Sequence, residues 1–371
     1  MFERNFTAEL KERRIGLIQK VIHSTHIYIL LIMSTGFIVH VLLLPMILTA
    51  SNRDSWLSVI GSVAPLILWT VMIYFLNKKF EQKNMFSLLF SLPSFISYSI
   101  RILFGLYFFL TAFITFKYTG FWAKLNYTAD IPDFLAVVTF ASLCYYASLK
   151  GIRTIGSLAI FFLPFVVMLG FLVGIGNIKY KDYSMLFPVF ERGYKDFFLG
   201  IMYACSSSFE IIYFLFITPF IKDRIKIKPL MIVSIVIFFL ALGPLMGGIA
   251  LFGAEEAEKM KVPAYEQWKM LTIGINIERV DFLSIFQWRS GAFIRISLSM
   301  FIVNQLLNRD QKKSWILPLL YTLLIISVLI PWDFSSFFSI LYSVYFPASL
   351  VFLLFIFGLI FFLSRIKGES P

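Results

Sequence analysis

Tyr203-Ala204-Cys205-Ser206-Ser207-Ser208-Phe209-Glu210-Ile211-Ile212 lies inside an apolar run from Phe197 to about Ile221. A helical run of that length crosses the roughly 30 Å of hydrocarbon in a bilayer. Glu210 therefore falls mid-span, where an ionised side chain costs from about 2.5 kcal/mol upward, so it must face protein, water or a partner. The small residues before it suit an interrupted helix, because Ser hydroxyls and a bound ligand can satisfy the backbone groups that an unwound turn exposes. The competing reading is structural: Ser206 to Ser208 permit close helix packing and Glu210 ties two helices together. Ionisable residues inside a membrane are functional more often than not, and this favours a solute site at the midplane.

The rest of the chain has the same character. Of its 371 residues 59% are hydrophobic and 15% charged, with a mean hydropathy of +0.83, so the chain is an all-α integral membrane protein with no water-soluble enzyme domain beside it. Ten runs are long enough to span: about 25–50, 55–76, 94–116, 131–149, 153–177, 197–221, 229–253, 282–308, 314–331 and 336–364. They divide into two sets of five, about 25–177 and 197–364, within a single transmembrane domain. Residues 1–24 form a basic tail without the pattern of a cleavable signal, and 365–371 a second short tail. An even number of spans puts both termini on one side. With the termini in the cytoplasm that side carries 19 Lys and Arg against 11 on the other, the expected bias for this orientation.

The high pI of about 9.5 thus reflects loop charges that set topology, and no nucleic-acid partner is expected. Cys144 and Cys205 both lie in apolar runs, so no disulfide framework is expected. With three histidines, no Cys/His spacing, no phosphate-binding glycine loop and no nucleophile elbow, neither a metal site, a cofactor nor catalysis is expected. The loop 254–281, rich in Glu, reads as an acidic cover, either a lid or a docking surface, with a plain solvated connection as the alternative. Residues 178–196 read as an interfacial segment.

Span 1 resembles span 6 in its disturbance. It carries Ser34-Thr35-Gly36-Phe37-Ile38-Val39-His40 and then Pro45, and paired interruptions in corresponding helices of two repeats point to a transporter-type site. Thr35, Gly36, His40, Ser206, Ser207, Ser208 and Glu210 are therefore candidate ligand contacts, although a neutral imidazole bonded to a neighbouring carbonyl is a common packed state for His40. In span 3, Ser94, Ser97, Tyr98, Arg101 and Gly105 share a polar face. Tyr98 joins the candidates, and Arg101 is either a charge partner or a side chain snorkelling to the nearby interface. In span 8, Gly291, Arg295 and Ser299 follow at four-residue steps. Arg295 is near mid-span and needs a counter-charge, for which Glu210 is the candidate.

Several stretches resemble the spore germination permease family, the B-subunits of germinant receptors. They are Pro45 through Asp54-Ser55-Trp56-Leu57-Ser58; Tyr146-Ala147-Ser148-Leu149-Lys150-Gly151-Ile152-Arg153-Thr154-Ile155; Phe209-Glu210-Ile211-Ile212; and Glu278-Arg279-Val280-Asp281 followed by Trp288 and Phe293-Ile294-Arg295-Ile296-Ser297-Leu298. The resemblance covers nearly the whole chain in order. It implies kinship with amino acid/polyamine/organocation transporters, built as two inverted five-helix repeats with helices 1 and 6 broken around the solute. It further implies a small germinant (amino acid, nucleoside or sugar), a membrane A-subunit and a lipoprotein C-subunit as partners, and residence in the inner spore membrane. In sodium-coupled relatives of that fold a cation sits between helices 1 and 8, a place where Arg295 would supply a built-in positive charge. The rival expectation is a proton-coupled amino acid permease acting alone through Glu210 or His40.

Overall fold

In hydrocarbon every backbone N–H and C=O must be bonded within its own segment, and runs of Leu, Ile, Phe and Val with no competing solvent therefore become helices. The computed structural model describes residues 20–79, 85–274, 279–308 and 313–366. The tail through residue 19, the loop cations Lys83, Arg309 and Lys312, Glu278 of the resemblance, and Lys367 lie outside the described residues. The described chain is all-helical, and seven helical segments are long and apolar enough to cross a membrane. The first of these, Ser24–Lys79, holds spans 1 and 2. It reverses at Asn52, whose φ of 43° is a left-handed conformation that Asn adopts more readily than bulkier residues. Asp133–Lys150 and the 14-residue Ile316–Leu329 complete the ten as spans 4 and 9.

The spans sort by burial. The most apolar stretches of spans 1, 6 and 8 are 78%, 89% and 78% buried, whereas those of spans 5, 7 and 10 are 17%, 39% and 33% buried and carry the lipid-facing side chains. Span 3 packs chiefly along span 8 and is longer than its apolar run suggests: Ser94–Asn126 continues ten residues past the expected end. Lys117, which the sequence places in a loop, is therefore inside a helix and 7% exposed. It survives there because its ammonium donates to the carbonyls of Val328 (2.6 Å) and Ile330 (2.8 Å), acceptors left open where span 9 ends.

The interruptions in spans 1 and 6 take the form of altered winding instead of extended backbone. Span 1 passes through a π-helical turn at Ile38–Leu42, and span 6 through a 3-10 turn at Phe209–Ile212. Span 10 has a π turn of its own at Leu341–Tyr345.

Contacts outside the spans tie elements together at both ends of the bundle. Where span 1 begins, Val21 N–H donates to Phe220 C=O (2.9 Å) and Lys222 N–H to Ile22 C=O (2.9 Å), while Asp223 accepts from Ser24 N–H (2.9 Å). The start of span 1 is thereby sewn to the end of span 6. At the opposite end, loop 254–281 forms two short helices, Ala254–Lys259 and Pro263–Lys269, laid over spans 1 and 7. Glu258 reaches Asn52 and Arg192, and Tyr265 and Trp268 turn inward to 3% and 2% exposure. Asp281 fastens this cover: burial raises its carboxyl pKa, but hydrogen bonds from Arg279, Tyr265 and Tyr127 outweigh that and hold it below the usual carboxylate value.

Candidate functional site

The centre of the bundle is an ion pair. Arg295 and Glu210, 1% and 0% exposed, meet with Nη1 2.5 Å from Oε2 and with Nη2 donating to Oε1 at 2.8 Å. Nη2–Oε1 is the hydrogen bond of the pair, Oε2 resting against Nη1 by charge, and their attraction offsets part of the cost of burying both groups. Two further donors are also placed. Arg295 Nε donates to Thr115 Oγ1 of span 3 at 2.9 Å, and Nη1 to the Ser34 carbonyl of span 1 at 3.1 Å. Close approach makes the last bond possible: Gly291, one turn before Arg295, leaves room for the Phe37 ring, which a Cβ would meet at 2.7 Å.

Phenols surround the carboxylate. Tyr107 OH lies 3.5 Å and Tyr345 OH 3.4 Å from Glu210 Oε1. Tyr107 also shares a hydrogen bond with Ser349 (3.3 Å), and Tyr213 OH pairs with Ser299 Oγ at 2.5 Å. The site thus gathers side chains from spans 3, 6, 8 and 10 and a backbone carbonyl of span 1 around one buried pair of opposite charges. On span 1, next to the Ser34 carbonyl that Arg295 holds, Ser34 Oγ and Thr35 Oγ1 are fully buried and have no hydrogen-bond partner among the described residues. A dry polar atom left unpaired is costly, and its presence here marks a place for a ligand group or a water.

The sequence-predicted residues divide by this geometry. Glu210 and Arg295 come together at the centre, and Thr35 follows directly after Ser34, whose carbonyl Arg295 holds. Ser206, Ser207 and Ser208 lie on the same helix just ahead of Glu210, but their hydroxyls bond back to Tyr203 and Ala204 carbonyls at 2.7 to 3.1 Å. Such back-bonding loosens a helix from within, and the 3-10 turn follows directly. Gly36 and His40 face span 7. A Cβ on Gly36 would meet Leu240 Cδ1 at 2.8 Å, and His40 Nδ1 is 3.2 Å from the Leu240 carbonyl. Tyr98 is 58% exposed on the outer face of span 3. Arg101 donates to the Ser97 and Leu306 carbonyls and lies over the rings of Phe90 and Tyr98, apart from the ion pair.

Sequence reading passed over Tyr107, Thr115, Tyr213, Tyr345 and Trp69. Tyr107, Thr111 and Thr115 do repeat at helical spacing in span 3, a signal that was available. Trp69 carries no such mark. Its Nε1 donates to the Phe209 carbonyl at 3.0 Å and its ring stacks on Phe209 at 4.5 Å and 6°, so span 2 holds the first residue of the 3-10 turn. Trp69→Phe keeps the stack and deletes the donor. We expect it to cost about 1–3 kcal/mol, the penalty of leaving a buried carbonyl unpaired. Thermal melting of the purified protein measures this, and a melting curve equal to the wild type would remove Trp69 from the account of the turn.

Residues 23–335 match the family model described as spore germination protein. The chain is 33% identical over 334 residues to spore germination protein XB of Bacillus anthracis, an alignment covering 89% of this chain and 94% of that one.

Proposed function

Because the chain belongs to the spore germination protein family, we propose that it is the transporter-like B-subunit of a spore germinant receptor, working with a membrane A-subunit and a lipoprotein C-subunit in the inner spore membrane. Family membership makes it a germination-related, transporter-like membrane protein; the germinant, the partners and the cytoplasmic termini belong to the proposal. The observation that carries it is the Glu210–Arg295 pair, which joins five spans at one buried point.

A small germinant enters from the lid end and binds beside the pair, taking up Ser34, Thr35 and the phenols of Tyr107 and Tyr345. Polar groups on the germinant exchange with those that Glu210 and Arg295 now make to each other. Arg295 donates from span 8 to a span 1 carbonyl, so the guanidinium serves as a tethered cation between those helices and no sodium is needed. Binding shifts the balance between closed and open bundles only by the germinant's differential affinity for the two. Spans 1 and 6, sewn together at the terminal end, carry that shift to the partner subunits.

The test is germination of spores lacking only this chain, across amino acids, nucleosides and sugars. Loss of response to one class is the expected result. An unimpaired response, together with uptake of a labelled amino acid by vesicles holding the purified chain, would replace the receptor with a proton-coupled permease acting alone.

A further inference from the structure

Two helical turns outward from the ion pair lies a cluster of aromatic rings with unmet hydrogen bonds. Trp122 is seven residues beyond Thr115 on span 3, and Trp288 seven before Arg295 on span 8. Seven residues make about two turns, or roughly 10 Å, so both indoles stand over the pair on the same helix faces. Their centroids are 4.1 Å apart. Both residues are 1% exposed, and among the described residues neither Nε1–H has an acceptor. Tyr127 packs against Trp122 at 5.4 Å.

The ring that completes the cluster comes from the lid. Tyr265, on the short helix Pro263–Lys269, inserts between Trp122 (5.6 Å, 85°), Tyr127 (5.9 Å, 76°) and Trp288 (5.9 Å). Its hydroxyl donates to Asp281 Oδ2 at 3.1 Å, and Lys269 covers the ring from outside at 4.9 Å. Buried donors almost always find a partner in native structures. Here Tyr265 supplies a flat ring held edge-to-face, the arrangement aromatic groups prefer, but no acceptor for the two indoles.

We propose that this box is an outer binding position for a planar heteroaromatic solute, and that Tyr265 occupies it as a stand-in while the lid is closed. A ring bearing carbonyl or ring-nitrogen acceptors reproduces the packing of the phenol and also satisfies Trp122 and Trp288. An aliphatic zwitterion brings acceptors without the flat face. Capture of such a solute expels Tyr265, and with it lifts the helix Pro263–Lys269 off the outer end of the bundle. Solute recognition and opening of the lid are then one event, upstream of the ion pair.

The experiment uses the full chain in lipid nanodiscs with Ala264→Cys. That position is 6% exposed, and the native Cys144 and Cys205 are buried. Uracil or hypoxanthine is expected to raise the labelling rate by a hydrophilic maleimide several-fold, while L-alanine and D-glucose leave it unchanged. In a separate Tyr265→Ala variant, which lacks the competing ring, uracil binds more tightly than to the wild type, read as a larger rise in melting temperature. Equal labelling with all four compounds, or no gain in uracil binding by Tyr265→Ala, would overturn the proposal. Labelling and melting are read on the purified chain without spores, so this position is tested apart from the role of the ion pair in germination.

Discussion

Glu210→Gln silences germination and destabilises the protein by about 3–5 kcal/mol, the usual consequence of removing one partner from a buried ion pair. Gln still accepts from Arg295 Nη2, now 2.8 Å from Glu210 Oε1, so the geometry changes little while the charge balance is lost. The guanidinium cannot shed its proton to escape, because arginine stays ionised in proteins. It is then a bare cation among Thr115, the Ser34 carbonyl and neutral phenols. Thermal melting and membrane yield measure the loss. The double variant Glu210→Gln/Arg295→Met removes the uncompensated charge and recovers much of the stability, since well-packed apolar replacements of buried pairs are often neutral or better. Germination stays silent in the double variant, because the groups that exchange with the germinant are gone. A normal germinant response in either variant would sink the role assigned to the pair.

Gly200 is the second sensitive point, and here the cause is volume. Spans 1, 2 and 6 meet at this glycine: a Cβ there would stand 2.5 Å from Ser51 Oγ and 2.6 Å from Ser58 Cβ. Ser51 and Ser58 cannot swing clear, since Ser51 Oγ bonds to the Ile47 carbonyl (3.0 Å) and Ser58 Oγ to the Phe197 carbonyl (3.0 Å). Inside a membrane, helices associate through this kind of close approach between small residues. Gly200→Ala is expected to cost about 1–3 kcal/mol as overpacking, and Gly200→Leu to prevent assembly of the bundle. Pairing Gly200→Ala with Ser51→Ala and Ser58→Gly removes every crowding atom named here and should regain most of the melting temperature. No rescue would mean that the cost comes from elsewhere than this contact.

Much of the architecture is legible along the chain, and the exceptions have physical reasons. Span 3 outruns its apolar stretch because Lys117 finds carbonyl acceptors at the end of span 9, which hydropathy cannot register. The polar residues of span 1 separate by rotation about the helix: the Ser34 carbonyl reaches Arg295, while Gly36 and His40 meet Leu240 on span 7. The three serines of span 6 spend their hydroxyls on their own helix, so their visible effect is on winding. Tyr345 reaches Glu210 from span 10 across 135 residues, and nothing near it in sequence announces that contact.

The bilayer makes its demand residue by residue. For that reason the sequence alone determined the membrane class, the run of spans and the two mid-span charges, Glu210 and Arg295, that required an explanation. Which groups meet depends on the register and rotation of helices far apart in the chain, and close packing settles these only when all the spans are present together. The tertiary structure alone therefore decided how Arg295 divides its donors among Glu210, Thr115 and Ser34. It also decided that Trp69 holds the turn at Phe209, and that a lid tyrosine lies among indoles two turns above the charges.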